Sequence, residues 1–331
     1  MMSSVCLAAW VFFAARPQMK VVEIPRLSLH EALNRAPVWR WSAAGFRAEW
    51  SSIGQEQAMN WIADCRLLAS GDIVLALPDM NQVIVFYRDR RPAKVLGPRQ
   101  TKSDQWPLRG PAFLTTLEDQ FWVTPLNPQE GDAYGFTNTG DFVGVDHLPA
   151  VPHVVRLPKG GYGALNAAGT GLAFFDQRRR LLHDMNLQGL RGRETPPTPP
   201  RERLIGVRGG VLWLHWDQGF LAEISLDGRI LWLLDAGNQL SPVPVRWERR
   251  AFPWRLADTL LDACGHEDQT LLLFRKENQA WVALFDGAKD ILWQAPCPMP
   301  SADRLSGNGQ EIVFCASNLG HLECYAWPEP L

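Results

Sequence analysis

Six places along the chain put a polar or charged group beside the start of a short apolar segment: Asp64 with Arg66, Arg109, Tyr162, Arg203, His266, and Asp303 with Arg304. Gathered at one mouth, such groups would bind a polar or anionic ligand, guanidiniums gripping it through paired N–H donors. The same groups can instead pair with one another and serve the fold. No serine, cysteine or carboxylate has the specific neighbouring base that a nucleophile or general base requires, so no catalytic residue is assigned.

Metal chemistry has little support. His147 and His153 flank a proline-containing connection, while His30, His183, His215, His266 and His321 fall in separate segments without ligand spacing. Cys6, Cys65, Cys264, Cys297, Cys315 and Cys324 are scattered, with no C-x-x-C pair. Neither a metal nor another cofactor is expected.

Two stretches carry the chemistry of recognition. Between residues 171 and 208, eight arginines face four carboxylates, a local charge of +4 around PPTPP at 196–200. That stretch is a solvated basic edge or a docking place for an acidic protein or an anionic polymer. SPVPVRWERRAFPWR at 241–255 alternates Arg246, Arg249, Arg250 and Arg255 with Trp247 and Trp254. Such a segment either folds its aromatics down over an exposed strand edge or presents both kinds of side chain to a partner.

The elements that would position these residues repeat. Residues 209–234 and 269–294 each read as strand, polar turn, strand, Asp-Gly turn, strand. The same order recurs at 71–97, 120–145, 170–193 and 310–327, with MNLQGL of the third copy set against ISLDGR. Another apolar piece precedes each copy, at 65–70, 110–116, 161–167, 202–207, 259–263 and 303–307; the starts are 45, 51, 41, 57 and 44 residues apart. That is the spacing of four-stranded propeller blades.

The last copy stops one strand short, and PVWRWSAAG at 37–45 resembles ILWLLDAG at 230–237. The N-terminal strand is therefore expected to complete the last blade and remove the exposed edges. The fold class is all-β: a six-bladed β-propeller closed by an N-terminal strand, with seven blades the alternative count. Residues 37–331 make the propeller, and residues 1–36 form an extension in which SLHEALNRA can make a short helix capped by Ser28. The repeated tryptophans, Trp122, Trp213, Trp232, Trp281 and Trp293, are expected to pack between blades.

FLAEISLDGRILWLL and WVALFDGAKDILWQ resemble propellers with NHL-like or quinoprotein-like blades. The Gly-His and Trp-Asp signature of WD40 blades is absent, although the architecture is WD40-like. That resemblance implies scaffolds, ligand sensors, metal-dependent lactonases and quinone-dependent dehydrogenases alike, and no metal or cofactor residue of those enzymes matches here position by position. The expected function is a noncatalytic propeller that binds a protein or small polar ligand through one annular face; the alternative is a channel-mouth hydrolase or lyase of the lactonase-like type.

The net charge of −2 argues against a general nucleic-acid binder. No apolar run is long enough to span a bilayer as a helix; residues 5–15 have the length of a signal-peptide core but no preceding Lys or Arg. A cytoplasmic location is favoured, with secretion or a periplasmic location as the alternative if that segment acts as a leader.

Overall fold

The computed structural model describes residues 39–42, 62–88, 94–97, 110–116, 119–125, 132–147, 154–157, 160–165, 171–186, 202–207, 210–215, 220–235, 249–251, 259–266, 269–276, 278–286 and 290–327. The strand-and-turn segments fold into six sheets, each with four antiparallel strands. The first strand in the chain, β1 (Trp39–Ser42), belongs to the last blade. Blade one is β2 (Asp64–Leu67), β3 (Ile73–Leu77), β4 (Gln82–Phe86) and β5 (Lys94–Leu96). Blade two is β6 (Pro111–Thr116), β7 (Gln120–Pro125), β8 (Asp132–Thr137) and β9 (Phe142–His147). Blade three is β10 (Val154–Arg156), β11 (Tyr162–Leu165), β12 (Gly171–Phe175) and β13 (Leu181–Asn186).

Blade four comprises β14 (Glu202–Val207), β15 (Gly210–His215), β16 (Phe220–Ser225) and β17 (Ile230–Asp235), with β18 (Arg249–Ala251) added in parallel to β17. Blade five is β19 (Thr259–His266), β20 (Gln269–Lys276), β21 (Gln279–Asp286) and β22 (Asp290–Pro296). Blade six holds β23 (Arg304–Gly307), β24 (Glu311–Ala316) and β25 (His321–Ala326), and β1 supplies its fourth strand. The inner strands β2, β6, β10, β14, β19 and β23 contact one another in succession and return to β2. The molecule is a six-bladed β-propeller.

Closure follows the expected route. β1 lies antiparallel on β25, with Trp39 opposite Cys324 and Trp41 opposite Leu322. Joining the two ends of the chain in one sheet ties the last blade to the segment that leads into the first.

Apolar residues alternate along the strands and meet between blades rather than within one central core. Blades three and four share Val155, Leu172 and Phe174 with Leu204, Val211 and Trp213; the Trp213 ring is fully buried. Blades six and one share Val313, Cys315 and Leu322 with Ile62, Leu75 and Ile84. Each wedge removes large side chains from water at roughly 25 cal/mol per Å² of apolar surface. The tryptophan expectation holds for Trp213 and for Trp122, which is 5% exposed, while Trp281 is half-buried under Lys276. The side chains of Trp232 and Trp293 lie outside the described residues; their backbones sit in β17 and β22.

The third blade is phased one strand away from the expectation. The piece at 161–167, read above as the inner strand, contains β11, which is the second strand; the three-residue β10 is innermost. MNLQGL accordingly contributes Met185 and Asn186 to the end of the fourth strand, where alignment with ISLDGR places them at the end of the third. The physical cause is the turn between β10 and β11, where Gly160 and Gly161 have φ of +82° and +89°. A Cβ on Gly161 would stand 2.3 Å from the Phe175 carbonyl oxygen, so that tight reversal requires glycine. The expected N-terminal helix at residues 28–36 lies outside the described residues.

Candidate functional site

The structure brings four of the predicted site residues together where blade six meets blade one. Asp64 and Arg66 stand on β2, 1% and 5% exposed, while Arg304 opens β23 and Asp303 immediately precedes it. The Asp64 carboxylate accepts the Cys65 N–H at 2.8 Å and, across the blade boundary, the Leu114 N–H of β6 at 2.9 Å. Arg66 Nε lies 3.4 Å from the same carboxylate and donates to the Leu114 carbonyl at 3.3 Å. Arg304 donates through Nε to the Ala63 carbonyl at 3.2 Å and through a terminal nitrogen to the backbone carbonyl of Asp303 at 2.8 Å. The Asp303 carboxylate takes the Ser317 N–H at 2.8 Å and the Ser317 hydroxyl.

Asp64, Arg66 and Arg304 tie one blade's inner segment to the next, while Asp303 anchors Ser317 just past the end of β24 in its own blade. Ser306 Oγ accepts the Leu67 N–H at 2.8 Å, and Asn308 donates to the Leu68 carbonyl at 3.0 Å. An inner strand has only one neighbour within its own sheet, so backbone groups on its open edge require partners from side chains or water. Carboxylates and hydroxyls on the adjacent blade provide them here.

A fifth member of this set is absent from the sequence reading. Asp262, fully buried on β19, accepts the Ala263 N–H and the Leu305 N–H of β23, each at 2.9 Å. It repeats the geometry of Asp64 one blade boundary before the closing seam. The available signal was the recurrence of Asp followed by a small residue in ADC at 63–65 and DAC at 262–264.

The remaining predicted residues do not join the cluster. His266 ends β19, opposite Gln269 at the far turn, and Tyr162 begins β11 at the corresponding turn of blade three. Arg203 is the second residue of β14, opposite Leu214, with its side chain outside the described residues; Arg109 lies outside them altogether. Tyr162 packs instead near Arg156, whose guanidinium lies 3.8 Å from the Trp122 ring centroid and pairs with Asp146. Burial lowers the Arg156 pKa from its ordinary value and raises that of Tyr162, because each loses hydration of its charged form.

Of the predicted partner-binding residues, Arg249 and Arg250 form β18, pairing with Leu233 and Leu234 on the outer edge of blade four. Arg246, Trp247, Trp254 and Arg255 lie outside the described residues. Blade three presents Arg178, Arg179 and Arg180, all exposed, at the turn that opens β13. The strands behind that turn have equally open faces: Phe142 on β9 is 56% exposed, Leu181 and Leu182 on β13 are 56% and 58%, and Leu231 on β17 is 53%.

Among the described residues, no group of three or more His, Cys, Asp or Glu side chains is arranged to hold a metal ion, and no helix is long and apolar enough to cross a membrane. Cys65, Cys264, Cys297, Cys315 and Cys324 are buried free thiols. Burial pushes the Cys297 thiol up to about 12 and raises that of Cys315 well above the ordinary range, which disfavours the nucleophilic thiolate.

No family model matches the chain, and no curated protein matches it. Similarity appears among solved structures. A streptogramin B lyase structure is 12% identical, with 83% of this chain and 86% of that chain covered and a TM-score of 0.48. Virginiamycin B lyase from Staphylococcus aureus is 12% identical over 88% of each chain, with a TM-score of 0.47. The WD40 repeats of RRP9 are 9% identical, with 88% of this chain and 99% of that chain covered and a TM-score of 0.48. Likeness at this level concerns chain architecture and transfers no activity.

Proposed function

We propose that this protein is a noncatalytic binding propeller whose partner is a protein docked on the lateral rim of blades two to four. One observation carries the reading. Among the described residues the exposed large apolar side chains are Phe142, Val143, Val145, Leu181, Leu182, Leu231 and Leu319, and all but Leu319 lie on β9, β13 and β17. Those are the fourth strands of three successive blades. Apolar groups concentrated on one side of a soluble fold are a feature of interaction surfaces, whereas scattered ones need no explanation.

The annular mouth is a weaker place for a ligand. Asp64, Arg66, Asp303 and Arg304 make hydrogen bonds that join inner strands and turns, so a ligand there would compete with contacts that hold the ring. Arg249 and Arg250 on β18 lie on the same rim as the apolar strands, where long-range attraction would speed encounter.

Proximity labelling in cells that make this protein tests the reading. Val143→Asp with Leu231→Asp should abolish labelling of specific neighbours while the melting temperature stays close to wild type, and Leu319→Asp should leave labelling intact. Unchanged labelling in the rim variant would overturn the proposal.

A further inference from the structure

β13 differs from the other two rim strands in ways that select a partner chemistry. It is the fourth strand of its sheet, and among the described residues no strand lies beyond it. Its consecutive Leu181 and Leu182 are both more than half exposed, so both faces of the strand are open near its start. The turn before it carries Arg178, Arg179 and Arg180, with Arg179 held at φ +63°. The Asp176 carboxylate of that turn is occupied by the Arg180 N–H at 2.8 Å, and among the described residues none of the three guanidiniums is held in an ion pair.

The neighbouring blades supply the contrast. On blade two, the turn before β9 is acidic: Asp141 pairs with Lys94 at 2.7 Å, which lowers its pKa, and no cation lies in that turn. On blade four, β17 already carries β18, running parallel and registered Leu233 to Arg249 and Asp235 to Ala251. The outer edge of a blade in this propeller therefore accepts an added parallel strand.

Building on the rim reading, we infer that the outer edge of β13 binds an extended acidic peptide segment of a protein partner, added as a strand parallel to β13. Main-chain hydrogen bonds to the open edge would supply affinity, and apolar side chains would cover Leu181 and Leu182. Parallel addition fixes the polarity of the motif. The arginines precede β13, so the acidic residues must precede the apolar ones in the peptide. Cations at one end of the edge also disfavour parallel pairing with a second copy of β13, in which like charges would meet.

The test uses the full chain and three fluorescent peptides: three acidic residues followed by alternating valine and threonine, the same residues in reverse order, and the first peptide with its acids changed to amides. Fluorescence anisotropy should show the acid-first peptide binding about tenfold or more tightly than either control, with affinity falling as salt rises. Arg178→Gln, Arg179→Gln and Arg180→Gln together should remove that preference, and bound peptide should slow amide exchange in residues 181–186. Equal affinity for all three peptides, no binding, or protection confined to another segment would overturn the inference. If the peptides fail while Val143→Asp with Leu231→Asp still abolishes neighbour labelling, the rim reading stands and only the β13 assignment falls.

Discussion

The seam joining blades five, six and one and the rim of blades two to four spend the same residue types in opposite ways. At the seam, Asp262 is fully buried and joins β19 to β23, and Asp64 continues the pattern by joining β2 to β6. At the rim, Asp227 stands in the open, its carboxyl held down at about 2 chiefly by the Arg229 hydrogen bond and also by Ser225. Leucines divide likewise: Leu305 and Leu322 at the seam are fully buried, whereas Leu181 and Leu182 are more than half exposed. A buried carboxylate that serves two backbone amides fixes which strands adjoin, because removing it strands those amides without partners. Exposed groups constrain little within the chain and remain available to another molecule.

The largest break in this contrast should come from the closing strand. Deleting residues 1–20 is expected to leave cooperative unfolding intact, whereas deletion through Trp41 removes three of the four β1 residues and exposes the edge of β25. Thermal unfolding and sedimentation check this; equal transitions and monomeric behaviour for both deletions would contradict it. Trp213→Ala should cost about 3–5 kcal/mol through lost packing and the cavity left between blades three and four, measured as a shift in denaturant midpoint. A cost below about 1 kcal/mol would mean that the wedge collapses freely.

High pH gives the next effect. Burial raises the Cys297 and Cys324 thiols from 9.0 to about 12, so the folded state keeps protons that the unfolded chain releases. The stabilisation is fully present below about pH 9 and is lost as pH rises toward 12, at roughly 1.4 kcal/mol per unit for each thiol. Melting temperature should fall through that window, and Cys297→Ala should flatten the fall; an identical slope would contradict the assignment.

Asp262→Ala leaves the Leu305 N–H unpaired and should cost about 1–3 kcal/mol, seen in the same denaturant titration. The smallest effect belongs to Asp227→Asn on the open turn, where exposed pairs contribute little and the melting temperature should not move measurably. A clear loss there would show that the rim is structural after all.

Most of the architecture was legible because strand alternation and Asp-Gly turns are local signals, and WRWS resembles the strand in ILWLLDAG. Blade three was misphased because its inner strand is only Val154–Arg156, too short for alternation to register, while the Gly160–Gly161 turn marks a hairpin only once its positive φ values are known. β18 escaped because two prolines and interleaved arginines carry no strand period, and its partner strand is supplied by tertiary contact. The seam cluster was legible in part. Asp64, Arg66, Asp303 and Arg304 stood out as charges at strand starts, but the pairing of Asp64, Arg66 and Arg304 with backbone of a neighbouring blade depends on residues far apart in sequence. Asp262 shows the limit: the Asp-then-small-residue pattern that it shares with Asp64 marks the position, but its contact with Leu305 of another blade is not written in the local sequence.

Amide hydrogen exchange on the isolated protein, followed strand by strand, tests most directly the claim that a tied seam holds the ring while the rim stays open. The slowest exchange is expected in β19, β23 and β2, whose edges are bridged by Asp262, Ser306 and Asp64, and the fastest strand exchange in β9 and β13. Exchange at the seam as fast as in β9 and β13, or protection of those two strands equal to that of β23, would contradict it.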